Sequence, residues 1–120
     1  MTVTREIVLK DWPEFLHVFS DQNQGRPVRL EATVPPGAGP PLIAEHEPLM
    51  GVELDPKGSE APAIMVMLGG MDAATPHLTH VITHPTHLWA EEGIGGLILA
   101  LDIDSTDEGK TLLLFEREAA

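Results

Sequence analysis

The chain has 120 residues, of which 42% are hydrophobic and 22% charged, a composition typical of a folded domain with one core, so we expect a single domain spanning residues 1–120. The 19 acidic residues outnumber the 7 basic ones, and the net charge of −12 disfavours nucleic acid and anionic membrane surfaces as partners. The absence of cysteine excludes disulfides and thiolate metal sites.

The start of the chain has no long apolar run. Only Ile7 to Leu9 are consecutively apolar, and charged residues flank them. A signal peptide or a membrane span needs a longer hydrophobic stretch. We therefore expect a cytoplasmic protein.

A helix is predicted from about Asp11 to Asn23. Its large apolar residues follow the i, i+3, i+4, i+7 spacing of one helix face and are Trp12, Phe15, Leu16 and Phe19. Asp11 and Glu14 have the spacing of a capping box, and Gly25 stands where a left-handed residue ends a helix. The apolar stripe predicts a helix packed on a sheet; an exposed recognition helix is the alternative.

After Gly25 the hydrophobic period changes from 3.6 to 2. Apolar residues alternate with polar ones from Val28 to Val34, which predicts a half-buried strand. The run from Pro35 to Pro41 is rich in proline, which has no amide hydrogen to donate, so it is interpreted as a loop.

The remaining chain predicts an antiparallel meander. The predicted strands are Met50–Leu54, Ala63–Leu68, Leu78–His84, Leu97–Ile103 and Thr111–Arg117. A helix followed by strands predicts an α+β fold, in which an N-terminal amphipathic helix packs on a strongly bent antiparallel sheet or small barrel of five to seven strands. Open strand edges would favour a weak homodimer.

Four histidines lie between residues 77 and 87: His77, His80, His84 and His87. A helix would place them on one face, but the β-branched residues around them and Pro85 favour a strand. On a strand His80 and His84 lie roughly 13 Å apart, too far to share one ion. The four histidines therefore do not predict a single metal site.

A smaller metal site is possible within this segment. A β-turn from His84 to His87 would bring two imidazoles together, and Glu91 could supply an oxygen ligand. Zinc at His84, His87 and Glu91 is therefore one hypothesis; solvent-facing histidines and no cofactor are the alternative.

His77 and His80 are candidate ligand or interface residues. The predicted strand places His80 on the face of Leu78 and Ile82, which predicts a partly buried imidazole hydrogen-bonded to the backbone or to a carboxylate. No serine or threonine stands in a strained glycine-flanked turn, so the pattern does not favour nucleophilic catalysis.

The acidic run near the end of the chain consists of Asp102, Asp104, Asp107 and Glu108. It lacks the glycine and the final glutamate at the spacing that a calcium loop needs. We interpret it as a solvated hairpin loop.

Several segments resemble a family of small bacterial single-domain proteins of unassigned function. They are Thr4-Arg5-Glu6-Ile7, Trp12-Pro13-Glu14-Phe15, Phe19-Ser20, His77-Leu78-Thr79-His80 and Thr111-Leu112-Leu113-Leu114-Phe115. The resemblance implies a stand-alone domain but no activity, cofactor or catalytic residue. The resulting hypothesis is a non-catalytic binding or interaction module; the alternative is a metal-binding protein or metal-dependent enzyme that uses the segment from His77 to His87.

Overall fold

The structure, a computed structural model, describes residues 2–33, 42–55, 63–69, 78–106 and 109–116. Its elements are β1 (Val3–Ile7), α1 (Trp12–Asn23), β2 (Pro27–Thr33), β3 (Leu42–Asp55), β4 (Ala63–Leu68), β5 (Leu78–Ile82), β6 (Pro85–Glu92), β7 (Ile98–Ser105) and β8 (Gly109–Phe115). Short 3-10 turns lie at Leu9–Asp11 and Ile94–Gly96. Within these ranges no helix is both long and apolar enough to span a bilayer.

The strands form one antiparallel sheet in the order β1-β6-β7-β8-β2-β3-β4-β5. The long strand β3 joins the two parts of the sheet. Its residues 42–48 pair with β2, and its residues 49–55 pair with β4. The predicted α+β fold, with an N-terminal helix on an antiparallel sheet, is confirmed. The strand number of five to seven is wrong, since the described sheet has eight strands, and the sheet does not close into a barrel.

The two strands that the sequence did not predict are β1 and β6. β1 reads Val-Thr-Arg-Glu-Ile and is exposed over most of its length, so its sequence lacks the apolar alternation of a half-buried strand. β6 begins at Pro85, where the sequence predicted a turn. The two strands stabilise each other through backbone pairing from Val3–Glu92 to Ile7–Leu88, a contact between distant parts of the chain.

The helix packs on the sheet with its predicted stripe. Trp12, Leu16 and Phe19 are buried, whereas Phe15 is only half-buried at the margin of the core. The indole N–H of Trp12 donates a hydrogen bond to the carbonyl oxygen of Ile7 at 2.7 Å. This bond satisfies a polar group that burial would otherwise leave without a partner.

Of the predictions for the two helix ends, one is confirmed and one is wrong. Gly25 has φ of 89°, which confirms a left-handed residue after the helix. The predicted capping box is wrong, because the Asp11 side chain makes no capping hydrogen bond. The 3-10 turn at Leu9–Asp11 runs directly into α1 and gives Asp11 a helical backbone, whereas a capping side chain needs an extended one.

Ser20 fixes the helix to β3. Its hydroxyl donates to the carbonyl oxygen of Val52 and accepts from the amide of Val52, both at 2.9 Å. The hydroxyl oxygen lies only 3.6 Å from the position that a Cβ on Gly51 would occupy. The pairing of β3 with β4 shifts between Leu49 and Gly51, so the predicted alternation through Met50, Val52 and Leu54 gives way to burial of Leu49 and Val52.

Further predictions concern the last hairpin, the end of β5 and two segments elsewhere in the chain. The predicted hairpin of the last two strands is confirmed, because β7 and β8 pair from Ala100–Leu114 to Ser105–Gly109. The strand predicted to end at His84 ends at Ile82. The predicted loop at residues 35–41 and His77 lie outside the described residues.

Candidate functional site

The strand register places side chains from several strands in rows across the sheet. One row contains Glu6, Trp89, Asp102, Leu112 and Glu31. The next contains Thr4, Glu91, Ala100, Leu114 and Arg29, and a third contains His87, Asp104 and Lys110. We call the surface formed by these three rows the outer face.

The residues between these rows point to the opposite side, which we call the inner face. They include Leu88, Leu101, Ile103, Leu113 and Val28, each fully buried in the core that α1 covers. Side chains on a strand alternate between two faces, so the same strands build the core and the outer face.

The outer face contains a cleft of about 170 Å³. Its lining residues are Thr4, Trp89, Glu91, Ala100, Asp102, Leu112 and Leu114. Ala100 stands between Glu91 and Leu114 in its row, so a small side chain separates two larger ones. The depression thus has an apolar floor and a carboxylate on two of its lining residues.

Two neighbours hold Trp89 in place. Its indole N–H donates a hydrogen bond to Asp104 Oδ2 at 3.3 Å. The ring of His87 stacks on it with centroids 6.0 Å apart, and His87 Nδ1 lies 2.7 Å from Glu6 Oε2. The aromatic wall of the cleft is therefore fixed before any ligand binds.

Lys110 bridges the carboxylates of Asp102 and Asp104. Its Nζ lies 2.5 Å from Asp102 Oδ2 and 3.2 Å from Asp104 Oδ1. The hydrogen bond to Asp102, together with the one to Asp104, raises the pKa of Lys110 despite partial burial. The ammonium group therefore stays charged throughout the physiological pH range.

The two aspartates respond to this environment in opposite directions. Burial, reinforced by the charge of Asp104, raises the pKa of Asp102 although Lys110 opposes the change. Burial also acts to raise the pKa of Asp104, but hydrogen bonds from Lys110 and Trp89 outweigh it and leave that pKa below its ordinary value. Asp102 is thus the carboxylate whose charge the site stabilises less well.

The two acidic residues of the cleft differ in the partners that they have. Within the described part of the chain, Asp102 Oδ1 is buried and accepts no hydrogen bond. In the same part of the chain, Glu91 forms no ion pair; it is half-buried. A positive group in the cleft would provide a partner for Glu91 and would lie near the negative charge of Asp102, whose Oδ1 is itself closed to solvent.

A second charged group borders the outer face near Arg29. The guanidinium contacts Glu31 at 2.6 Å and Glu45 at 3.1 Å, and the hydrogen bond to Glu31 is the main cause of its raised pKa. His46 Nδ1 lies 2.7 Å from Glu116 Oε2. One ligand atom from each of Glu45, His46 and Glu116 lies within 4.8 Å of the others, an arrangement that could hold a metal ion.

Sequence patterns gave no sign of this group. His46 has φ of 57° where the pairing of β2 with β3 is irregular, in a stretch that was not predicted as a strand. Glu116 arrives from the far end of the chain beyond β8. The irregular backbone and the distant partner both depend on the tertiary fold.

A family model described as a family of unknown function matches residues 3–120. The chain belongs to this family, DUF5335. The predicted resemblance to a family of unassigned function is thereby confirmed, and DUF5335 brings no activity or site residue with it. Neither the search of curated proteins nor the search of solved structures finds a match.

The structure does not place His84, His87 and Glu91 as the sequence predicted. The predicted β-turn from His84 to His87 is wrong: His84 has φ of 49° and lies outside a strand, and β6 begins at Pro85. His87 contacts Glu6, whereas Glu91 lines the cleft four residues, or roughly 13 Å, along the strand. Zinc at His84, His87 and Glu91 stays a prediction.

His80 lies on the inner face, half-buried between Leu78 and Ile82, as its place in the predicted strand indicated. The predicted hydrogen bond is not found at Nε2, because this atom is buried and has no hydrogen-bond partner in the ranges that the structure covers. It lies on edge strand β5, away from the cleft, so the candidate site does not include it.

Proposed function

We propose that this member of DUF5335 is a non-catalytic binding module whose outer face receives a basic segment of a protein partner. The observation that carries this proposal is the cleft, which combines apolar walls with the carboxylates of Asp102 and of Glu91, the latter half-buried and without an ion pair in the described part of the chain.

The charge of the outer face supports a basic partner. Its acidic residues, together with those bordering Arg29, are Glu6, Glu31, Glu45, Glu91, Asp102, Asp104 and Glu116. Its permanently charged basic residues are Arg29 and Lys110, and each already contacts two carboxylates. Complementary charge accelerates association and selects the partner, so a cationic segment is the favoured ligand.

The apolar side chains give the same face an anchor. Trp89, Leu112 and Leu114 are half-buried and line the cleft, although α1 lies on the inner face. A central aromatic residue within a charged rim is typical of protein interfaces. Half-buried apolar groups gain further burial when a partner covers them, which stabilises the complex.

The surroundings of His87 favour binding over catalysis. Its ring stacks on Trp89 and its Nδ1 lies beside Glu6, so its contacts are an aromatic ring and a carboxylate. A nucleophilic mechanism needs a histidine within hydrogen-bond distance of a hydroxyl or thiol. These contacts instead position the aromatic wall of the cleft.

A fluorescein-labelled peptide of alternating glycine and lysine, followed by fluorescence anisotropy, tests the proposal. We expect saturable binding that weakens as salt increases. The double variant Glu31→Gln and Glu91→Gln removes two negative charges from the outer face and should weaken binding about tenfold.

The matched control is Glu14→Gln with Asp21→Asn. Both residues are exposed on α1, and the pair changes the net charge by the same amount. The control should bind nearly as the wild type. Equal losses in the two double variants would show that binding follows total charge and would contradict a site on the outer face.

Metal binding is the second candidate function, favoured by the converging ligands Glu45, His46 and Glu116. Arg29 contacts Glu45, and its positive charge opposes a bound cation. If these residues bind zinc, one equivalent shifts the His46 ring resonances in an NMR titration, and Arg29→Gln strengthens binding. Zinc shifts at His84 and His87 instead would support the predicted segment, and no saturable shift would reject both.

A further inference from the structure

We infer that the cleft accepts one long cationic side chain, lysine or arginine, as the anchor of the bound segment. This inference rests on the proposed function, because it assigns the part of the outer face that determines specificity. The ligand is the aliphatic stem and the charged end of a single residue in a partner protein.

The walls of the cleft fit the stem. Ala100, Leu112 and Leu114 are adjacent on β7 and β8 and form a continuous apolar surface. The methylene groups of lysine or arginine pack on such a surface while the charged end stays near polar groups. A volume of about 170 Å³ suits one side chain and not a packed helix.

The polar rim fits the charged end. Glu91 and Asp102 lie on neighbouring strands, diagonal across the pairing of β6 with β7. Asp102 Oδ2 is held by Lys110, whereas Oδ1 is buried and, among the residues with described positions, accepts no hydrogen bond. An ammonium or guanidinium group supplies several donors, so it can pair with Glu91 while the charge of Asp102 attracts it from the neighbouring strand.

Trp89 adds a third contribution. Its ring lines the cleft beside Asp102, and the bond to Asp104 and the stacked His87 fix its position. A cation beside an indole ring is attracted by the negative face of the ring. The cleft therefore selects for positive charge through the carboxylates and the aromatic wall together.

Ala100 is the specificity-determining residue in this arrangement. It is 6% exposed, and its side chain occupies the floor of the cleft between the two larger neighbours of its row. A longer side chain at this position would fill the space that the ligand stem needs, without changing any charge on the outer face.

The decisive experiment compares short peptides that differ at one position. Acetylated and amidated Gly-Ser-Xaa-Ser-Gly peptides carry lysine, arginine, norleucine or glutamate as Xaa, and the resonances of the Trp89 indole and the Leu112 and Leu114 methyl groups report binding. We expect the lysine and arginine peptides to shift these signals saturably and to bind at least about tenfold more tightly than norleucine. Equal binding of norleucine would overturn the inference, because charge would then not matter.

A cleft-filling variant separates this inference from the proposed function. Ala100→Met should abolish the shifts caused by the single-lysine peptide and weaken binding of the glycine-lysine repeat. Ala63→Met is the control, since Ala63 is a half-buried residue of β4 outside the cleft. Thermal unfolding of both variants verifies that they are folded.

The outcomes distinguish the two proposals. If the repeat peptide binds in a manner dependent on Glu31 and Glu91 but Ala100→Met has no effect, the outer face binds basic segments and the cleft is not the anchor. If no basic peptide binds the wild-type protein, the proposed function fails and the anchor fails with it. If Glu91→Gln and Ala100→Met each abolish the shifts caused by the single-lysine peptide and Ala63→Met does not, the cleft is the anchor site.

Discussion

The inner and outer faces of the sheet are built by the same strands but differ in what surrounds each side chain. On β8, Leu113 points to the inner face and is fully buried beneath α1, whereas its neighbours Leu112 and Leu114 point outward and are half-buried. The inner face is mostly apolar, with Thr111 among its few buried polar residues, and the outer face mixes apolar residues with bridged charges. The comparison indicates that stability is concentrated on one face and recognition on the other.

The charges of the outer face contribute little to folding. Its salt bridges are partly exposed, and such pairs typically contribute about 0–1 kcal/mol each. Buried apolar side chains contribute more, because removing one loses its burial and leaves a cavity. Variants on the two faces should therefore separate cleanly into losses of stability and losses of binding.

The largest expected effect is in the core between α1 and the inner face, at Phe19. Its ring is 3% exposed and packs against Phe15 and Phe115, so Phe19→Ala should lower the free energy of unfolding by about 3–5 kcal/mol. Phe15→Ala should cost less, because Phe15 is only half-buried. Urea denaturation measures both; equal losses would mean that the helix margin is as tightly packed as its centre.

The two neighbouring leucines of β8 test the comparison directly. Leu113→Ala should cost about 2–5 kcal/mol, and Leu112→Ala about 1 kcal/mol, because only the first opens a cavity in the core. Leu112→Ala should instead weaken binding of the glycine-lysine repeat. The distinction between faces would be lost if Leu112→Ala destabilised the protein as much as Leu113→Ala.

Lys110→Met tests how the ammonium group of Lys110 affects the pKa values of Asp102 and Asp104. Removing the ammonium group should raise the pKa of Asp102 further above 3.8 and raise the pKa of Asp104, since Lys110 lowers both. NMR titration of the aspartate carboxyl carbons measures these changes. An unchanged Asp104 pKa would show that the remaining hydrogen bonds, to Trp89 and Asp102, are enough to stabilise its charge.

The same substitution has a consequence for stability at high pH. The pKa of Lys110 is raised above 10.5 in the folded protein, so its contribution is present below that pH and is lost as pH rises through the folded pKa. As pH rises through this range, Lys110→Met should therefore lose less stability than the wild type, by about 1 kcal/mol or less. Unfolding midpoints of both proteins across this pH range provide the measurement.

The smallest expected effect concerns the sheet edges. A weak homodimer formed through an edge strand remains a prediction, and β5 is an edge strand with Val81 41% exposed. Light scattering should show an apparent mass that increases with concentration, and Val81→Lys should reduce that increase. The control is Val18→Lys on α1, where Val18 is 39% exposed. A constant monomer mass in all three proteins would reject the homodimer.

The sequence by itself determined the elements whose signals are local. The stripe of Trp12, Leu16 and Phe19 repeats at the helical period, and Gly25 ends the helix with the backbone conformation that glycine favours. The alternation in β2 and the hairpin of β7 with β8 were likewise predictable, because the apolar period and the turn residues lie close together in the chain.

Only the tertiary structure decided the strands that depend on distant partners. β1 carries Arg5 and Glu6 within five residues and is a strand because β6 offers it a paired edge. The first half of β3 depends in the same way on β2. Backbone hydrogen bonds between strands stabilise such segments with little regard to side-chain pattern, so sequence periodicity does not reveal them.

The candidate site depended on register in the same way. Sequence reasoning named Glu91 and His87 for a metal site and interpreted Asp102 and Asp104 as part of a loop; both aspartates lie on β7 and face Trp89 and His87 across the strand pair. The alternation of Asp102 and Asp104 with buried Leu101 and Ile103 was visible in the sequence. The hairpin with β8 was also predicted, but the position of β6 on the other edge of β7 was not, and that pairing brings Trp89 and Glu91 beside Asp102 and Ala100 in the cleft.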